Sequence, residues 1–126
     1  MTLVRNAEFG VRSELKERTK PFAIQVIKLI EELPKSRIAD ILGTQLLRAG
    51  TSVGANYRAA CRARSKADFI AKMGIVEEEA DEARYWLELL VEAAVVIPVR
   101  VQSLLEECDE ILAMTVASIR TARSTR

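Results

Sequence analysis

The chain has 126 residues, a net charge of +1 and a hydrophobic fraction of 49%. That length is typical of a single domain, and the hydrophobic fraction is sufficient for a buried core. A net charge so close to zero excludes a global field that would draw the protein onto nucleic acid or an anionic membrane, so any basic surface has to be local. Five glycines and three prolines are too few for the many turns of a β-sandwich, and this favours helices.

The sequence has no evident targeting or membrane-spanning segment. Charged residues occur throughout residues 2–20, unlike in a secretory signal peptide. The longest apolar run, residues 93–99, is far shorter than the roughly 20 residues that span a bilayer. Cys61 and Cys108 both fall at helical core spacings, so we expect two buried free thiols, as in a reducing compartment. These features predict a cytoplasmic protein that does not contact a membrane.

The first predicted helix begins between Ser13 and Pro21, since proline is tolerated in a first helical turn. It ends before Pro34, because the residue before a proline is disfavoured in the α conformation. Residues 1–12 and 121–126, at the two ends of the chain, are expected to be loosely ordered. The core side of this helix follows a 4-3-4 spacing: Phe22, Val26, Leu29 and Leu33.

The second predicted helix is capped by Ser36 and contains three glycines. Gly43, Gly50 and Gly54 each cost about 1 kcal/mol relative to alanine in a helix. Two alternatives follow: a thin helix that another helix approaches closely, or a break between Gly50 and Gly54. The polar Asn56 lies at the edge of the apolar stripe, where a buried hydrogen bond would set helix register. The predicted stripe is Leu42, Leu46, Ala49, Val53, Asn56 and Ala60.

The third and fourth predicted helices have long apolar heptads. Ser65 and Asp68 form a variant of the capping box that precedes helix three, and Pro98 marks the turn into helix four. A sustained spacing of 4 and 3 is typical of a left-handed helical bundle. The predicted core positions are Phe69, Met73, Val76, Ala80, Ala83, Leu87, Leu90, Ala94 and Ile97 in helix three, and Val101, Leu105, Cys108, Leu112, Thr115, Ile119 and Ala122 in helix four.

Short connectors between four such helices predict an all-α, antiparallel up-and-down four-helix bundle that forms one domain over residues 1–126. Helix three also carries a second apolar stripe of Trp86, Leu89, Ala93 and Val96, which needs a further partner. This stripe suggests self-association.

The sequence offers no constellation for catalysis. Histidine, the commonest metal ligand and general base, is absent. The carboxylates of residues 77–82 therefore cannot form the Glu-x-x-His pairs of a di-iron bundle, and they indicate a solvated face with salt bridges. No P-loop, dinucleotide fingerprint or nucleophile elbow is present. We expect a non-enzymatic protein without a metal or a cofactor.

Helix two carries the main basic feature of the sequence. Residues 37–64 contain five arginines and one acid, whereas residues 65–97 contain three basic residues and eight acids. Arg48, Arg58 and Arg62 share an arc of about 80° among small residues, which leaves room for a phosphate backbone. In the alternative, these arginines pair with acids of helix three, within one subunit or between subunits. Around the end of helix two, Arg64 and Lys66 extend the candidate surface.

One run of residues resembles a known family. The run reads Gln45, Leu46, Arg48, Ala49, Ser52, Val53 and Asn56, followed by Ser65, Asp68 and Phe69. It is similar to the four-helix bundle proteins encoded in 23S rRNA intervening sequences, a family that includes accessory variability proteins of diversity-generating retroelements. The chain departs from the family pattern after Asn56, where residues 57–60 lack the common glutamate and glycine.

The resemblance implies a four-helix bundle, a homopentameric ring and a basic surface for RNA or DNA, with a reverse transcriptase as a partner in the retroelement branch. It carries Gln45, Asn56, Ser65, Asp68 and Phe69 over as structural motif residues. The leading hypothesis is therefore a homo-oligomeric, nucleic-acid-binding accessory protein. The competing hypothesis is a structural scaffold that binds protein partners and no nucleic acid.

Overall fold

The structure, a computed structural model, describes the backbone of residues 3–125 and the side chains of residues 14–125. Four helices, α1 (Leu3–Glu31), α2 (Arg37–Cys61), α3 (Lys66–Glu92) and α4 (Gln102–Ser124), are joined by short connectors, the last of which contains a 3-10 turn, Pro98–Arg100. The described part contains no strand, so the predicted all-α class is confirmed. Residues 1, 2 and 126 lie outside the described part, and the expectation of loose order at 1–12 and 121–126 stays a prediction.

The helices are arranged as a square in which each helix packs against two neighbours. Helices α1 and α3 both contact α2 and α4, as an up-and-down bundle requires. Fully buried Leu, Val, Ile, Phe and Met side chains from all four helices form one continuous core. No helix in the described chain is long and apolar enough to cross a membrane. The predicted four-helix bundle is confirmed.

Helix α1 begins earlier than predicted. It starts at Leu3, so Pro21 lies in its interior and not in its first turn. An interior proline removes a backbone hydrogen bond and costs about 3 kcal/mol. Leu15 and Phe22, on either side of the proline, are almost completely buried in the core. We attribute the longer helix to this packing, which outweighs the local cost of proline.

The glycines of α2 allow α1 to approach closely, and α2 is continuous through all three of them. A Cβ atom on Gly50 would lie 3.1 Å from both Cγ atoms of Val26, and one on Gly54 would lie 3.3 Å from Thr19. Gly43 faces Leu33 in the same way. The thin-helix alternative is therefore correct, and the predicted break between Gly50 and Gly54 is wrong.

The buried stripes of α2 and α4 differ from the predicted ones by one residue at several positions. Tyr57 is buried in place of Asn56, and in α4 Leu104 and Ile111 are buried where Leu105 and Leu112 were predicted. In α4 the buried residues still alternate at spacings of 3 and 4, so the heptad period was predicted correctly. The error lies in which of two adjacent apolar residues faces the core.

Helix α3 ends sooner than its heptads predicted. The predicted core residues Ala94 and Ile97 are exposed, because the chain leaves the helix at Ala93. The N–H of Val95 donates to the carbonyl of Leu90 at 2.9 Å, and the N–H of Ala94 donates to that of Val91. These two bonds form a Schellman motif. Its left-handed position is held by Ala94, at φ 59°, where glycine is the usual residue.

Replacing Ala94 with glycine should stabilise the protein. A left-handed alanine costs roughly 1–2 kcal/mol, and the extra chain entropy of glycine offsets about 0.5–1 kcal/mol of that gain. We expect Ala94→Gly to raise the free energy of unfolding in urea by about 0.5–1 kcal/mol at fixed protein concentration.

The matched control is Ala93→Gly, because Ala93 has an ordinary φ of −84°. There glycine relieves no strain and should lower the stability. Equal effects of the two variants would contradict the assignment of strain to Ala94.

Candidate nucleic-acid interface

Arg48 is paired with acids of α3. Its guanidinium lies 3.4 Å from a carboxylate oxygen of Glu79 and forms a closer ion pair with Glu82. The same Glu82 carboxylate accepts a hydrogen bond from Nε1 of Trp86 at 3.3 Å. The alternative in which arginines of helix two pair with helix three is therefore found for Arg48. Its positive charge is largely balanced within the subunit.

Arg58 and Arg62 instead line a groove between α1 and α2. Across the groove, α1 contributes Lys16 and Lys20, and all four cationic side chains are exposed. The groove has a volume of about 890 Å³. The remaining lining residues are mostly small: Thr19, Ala23, Thr51, Gly54, Ala55, Tyr57 and Cys61.

The groove cations have no acidic partner among the described residues. None of the described residues that line the groove carries a carboxylate. None of the four cations forms an ion pair with a carboxylate of the described chain. Lys16 and Lys20 are four residues apart on one helix, as are Arg58 and Arg62, and like charges at this spacing repel by a few tenths of a kcal/mol. An anion between the two pairs would relieve this repulsion.

Lys16 and Lys20 were not recognised in the sequence. They lie where helix α1 was expected to begin. The nearby Glu14 and Glu17 cancel their charge when the net charge of this segment is counted. A longer α1 with Leu15 in the core would have directed both lysines to one side of the helix. Their approach to Arg58 is a tertiary contact, which no spacing within either helix indicates.

Arg64 and Lys66 lie at the junction of α2 and α3, close in sequence to the groove. Both side chains are exposed, and within the described chain neither forms an ion pair. The antiparallel topology brings the end of α4 to the same end of the bundle, with exposed Arg120 and Arg123. We call this region, together with the groove, the basic end. Of the predicted site residues, the basic end contains Arg58, Arg62, Arg64 and Lys66. Arg48 is not part of it, because Arg48 is paired with acids of α3.

Ser65, Asp68 and Phe69 organise the start of α3. The hydroxyl of Ser65 accepts the N–H of Asp68 at 3.0 Å, which confirms the predicted cap. The carboxylate of Asp68 accepts from Arg64 N–H at 3.4 Å, and not from Ser65 N–H as in a full capping box. The Nζ of Lys72 donates to it at 2.5 Å, and this bond is the main cause of the lowered pKa of Asp68. Phe69 is buried beneath the cap.

Gln45 and Asn56 are half-buried on α2. The amide of Asn56 donates to the carbonyl of Ser52 at 2.8 Å, one turn back in the same helix. The bond lies within α2, whereas the predicted bond would have joined two helices and set their register. That prediction is wrong for Asn56. The reason is geometric: the core position next to it is occupied by Tyr57.

Acids of α3 and α4 form ion pairs with arginines. Arg84 pairs with Glu88 at 3.9 Å and with Asp109 of α4. Among the described residues, no group of three or more Cys, Asp or Glu side chains is placed to hold a metal ion. The pairs of Glu79 and Glu82 with Arg48, and the exposure of Glu78 and Asp81, fit the interpretation of residues 77–82 as a solvated, salt-bridged face.

The chain is similar to a known protein family and to a solved structure. The model of the 23S rRNA-intervening sequence protein family matches residues 12–117, which is most of the chain. The chain belongs to this family. A crystal structure of a protein of unknown function from the S23 ribosomal protein family of Bacteroides thetaiotaomicron has a TM-score of 0.82 and 34% identity over 87% of this chain and 98% of that one. No curated protein matches. The resemblance seen between Gln45 and Phe69 is thus confirmed.

The two cysteines of this family member differ in environment. Cys108 is buried, and burial raises the pKa of its thiol to about 12. Cys61 is exposed and lines the basic groove, so the expectation of two buried thiols is wrong for Cys61. It is the last residue of α2, next to the C-cap Arg62.

The two thiols should therefore react at very different rates. Because the thiolate is the nucleophile, we expect a disulfide reagent at neutral pH to modify one thiol per folded chain and the second only after unfolding. Cys61→Ser should abolish the fast reaction, and Cys108→Ser should leave it intact. Two equally fast thiols in the folded protein would contradict the burial of Cys108.

Proposed function

We propose that this protein is a non-enzymatic, homo-oligomeric nucleic-acid-binding accessory protein that contacts phosphates through its basic end. The observation that carries this proposal is the groove of Lys16, Lys20, Arg58 and Arg62, in which four exposed cations face each other and no described lining residue is a carboxylate. RNA or DNA is the partner that supplies anions at regular spacing. The cytoplasm is the compartment in which free thiols persist.

The chemistry of the groove favours a polyanion over a protein partner. Small floor residues such as Thr51, Gly54 and Ala55 let a backbone approach closely. Phosphate contacts by lysine and arginine release counterions, which gives affinity without base recognition. Repulsion within each cation pair is relieved when phosphates bind. The family assignment supports this proposal through the name of the family, which links it to 23S rRNA intervening sequences.

The second candidate function is a protein-interaction scaffold. Its support is a set of large apolar side chains that are exposed in the single subunit. They include Ile38, Ile41 and Tyr85, whose exposed fractions are 58%, 50% and 55%. Exposed apolar clusters often mark protein contacts. In this candidate, the groove cations contact acids of α3 in a neighbouring subunit, and a reverse transcriptase or another protein covers the apolar residues.

The double variant Arg58→Ala/Arg62→Ala separates the two candidates. If the groove binds nucleic acid, we expect the affinity of this variant for RNA or DNA at low salt to fall at least about tenfold. The slope of log affinity against log salt concentration should become shallower, by the amount that about two lost phosphate contacts predict. Its melting temperature should be unchanged or slightly higher, because repulsion between like charges is removed. Fluorescence anisotropy at several salt concentrations and a thermal melt measure both effects.

The matched control is Lys35→Ala/Arg37→Ala, which removes the same charge at the opposite end of the bundle. This control should bind nearly as tightly as the unaltered protein. If the Arg58/Arg62 variant dissociates into monomers, or if the unaltered protein binds no nucleic acid at low salt, the scaffold function is the correct one.

Self-association is tested separately. The exposed apolar side chains Ile38, Ile41 and Tyr85 are a surface distinct from the basic end, and they can form the contact between subunits while the groove stays open. We expect light scattering after size exclusion to give an oligomer, with five subunits, the number that the family resemblance implies, as the expected number. A monomer at micromolar concentration and moderate salt would exclude the oligomer.

A further inference from the structure

The groove between α1 and α2 has a shape that restricts which nucleic acid it takes. We propose that the groove binds a single nucleic-acid strand by its sugar-phosphate backbone, with the bases facing solvent, and does not accept the face of a double helix. This inference rests on the proposed function, since it names the ligand of the same groove.

The cations are arranged in two rows along the groove. Lys16 and Lys20 form one row on α1, and Arg58 and Arg62 form the other on α2. Within each row the residues are four apart, so their Cα atoms are separated by about 6 Å along the helix axis. A backbone that lies between the rows receives contacts from both sides over two or three successive phosphates.

The two rows are held close together by the packing of α1 on α2. At Gly50 and Gly54 a Cβ atom would lie within 3.1–3.3 Å of Val26 and Thr19, so the helices are near the lower limit of helix separation, about 8 Å. A groove between helices this close accommodates one strand and is too narrow for two. Its volume of about 890 Å³ is that of a small-ligand cleft.

The floor of the groove determines which side of the strand faces inward. Among the described lining residues the one aromatic side chain is Tyr57, which is only 2% exposed and offers no ring on which a base could stack. Proteins that hold single strands by their bases use exposed aromatic side chains for this purpose. Thr51, Gly54 and Ala55 present a shallow surface without ring systems. Phosphates between the cation rows and bases in solvent fit both features.

Arg64 and Lys66 continue the path of the strand. They follow Arg62 around the turn into α3, are exposed, and form no ion pair with a described carboxylate. Asp68, the acid nearest in sequence, accepts the backbone N–H of Arg64 and is paired with Lys72, so its charge is partly balanced. A strand that leaves the groove at Arg62 therefore passes over two further cations, beside one acid that already has a cationic partner.

The test compares three labelled probes of equal length, about 12 nucleotides, which is within the usual site size of single-strand-binding domains. The probes are oligothymidylate, a phosphodiester strand of the same length without bases, and a blunt duplex. We expect the first two to bind with similar affinity, and the duplex to bind at least about tenfold more weakly. For four contacts, the salt slope of the single strand should be about −3.

Protection of Cys61 locates the strand. Because this thiol lines the groove and Cys108 is buried, saturating oligothymidylate should slow the modification of Cys61 at least about tenfold. The double variant Arg58→Ala/Arg62→Ala should lose both binding and protection. In the control Lys35→Ala/Arg37→Ala, both should remain.

The outcomes separate this inference from the function on which it rests. If the duplex binds as tightly as the single strand and the Arg58/Arg62 variant weakens both, nucleic-acid binding stands and the single-strand preference is wrong. If the strand without bases fails to bind while oligothymidylate binds, the bases face inward and the backbone orientation is wrong. If no probe binds at low salt, the proposed function fails with it.

Discussion

The close packing of α1 on α2 determines the geometry of the basic groove. Where α2 has glycines, there is no side chain to hold α1 away, and Val26 and Thr19 occupy the space that Cβ atoms would fill. This contact brings Lys16 and Lys20 opposite Arg58 and Arg62. An alanine at Gly50 would force Val26 or the whole helix to move by some tenths of an ångström, and the two cation rows would separate. The glycines cost helical stability, and that cost is offset by a close helix pair.

The net charge is only +1, so the electrostatic properties of this protein depend on where its charged side chains lie. Acids of α3 and α4 are drawn into pairs with Arg48, Arg84 and Arg18 along the sides of the bundle. The groove cations, together with Arg64 and Lys66 at the end where α2 meets α3, form no such pairs in the described chain. A surface pair of this kind contributes about 1 kcal/mol or less to stability. The main effect of the pairs is therefore to neutralise the sides and leave one end positive.

The sequence was sufficient for the fold because the fold depends on local patterns. The heptads of α3 from Phe69 to Leu90 and the caps at Ser36 and Ser65 are properties of single helices, and the structure contains all of them. The buried phase of α4, the start of α1 at Leu3 and the exposure of Cys61 depend on how whole helices meet, and these were predicted wrongly. The candidate site shows the same division. Its α2 half followed from the shared arc of Arg58 and Arg62, whereas its α1 half is a tertiary contact.

Four phosphate contacts give one groove only weak affinity at physiological salt, because each contact depends on counterion release. An oligomer changes this limit. When a long strand is held by one subunit, the groove of the next subunit meets the strand at a high effective concentration, so that weak contacts combine into a tight complex without any new interaction. Such binding requires that the grooves stay open at the subunit contacts. Nucleic-acid binding and assembly in this bundle are therefore compatible only if the basic end lies outside the interface, and that geometric condition is what distinguishes an accessory protein from a scaffold here.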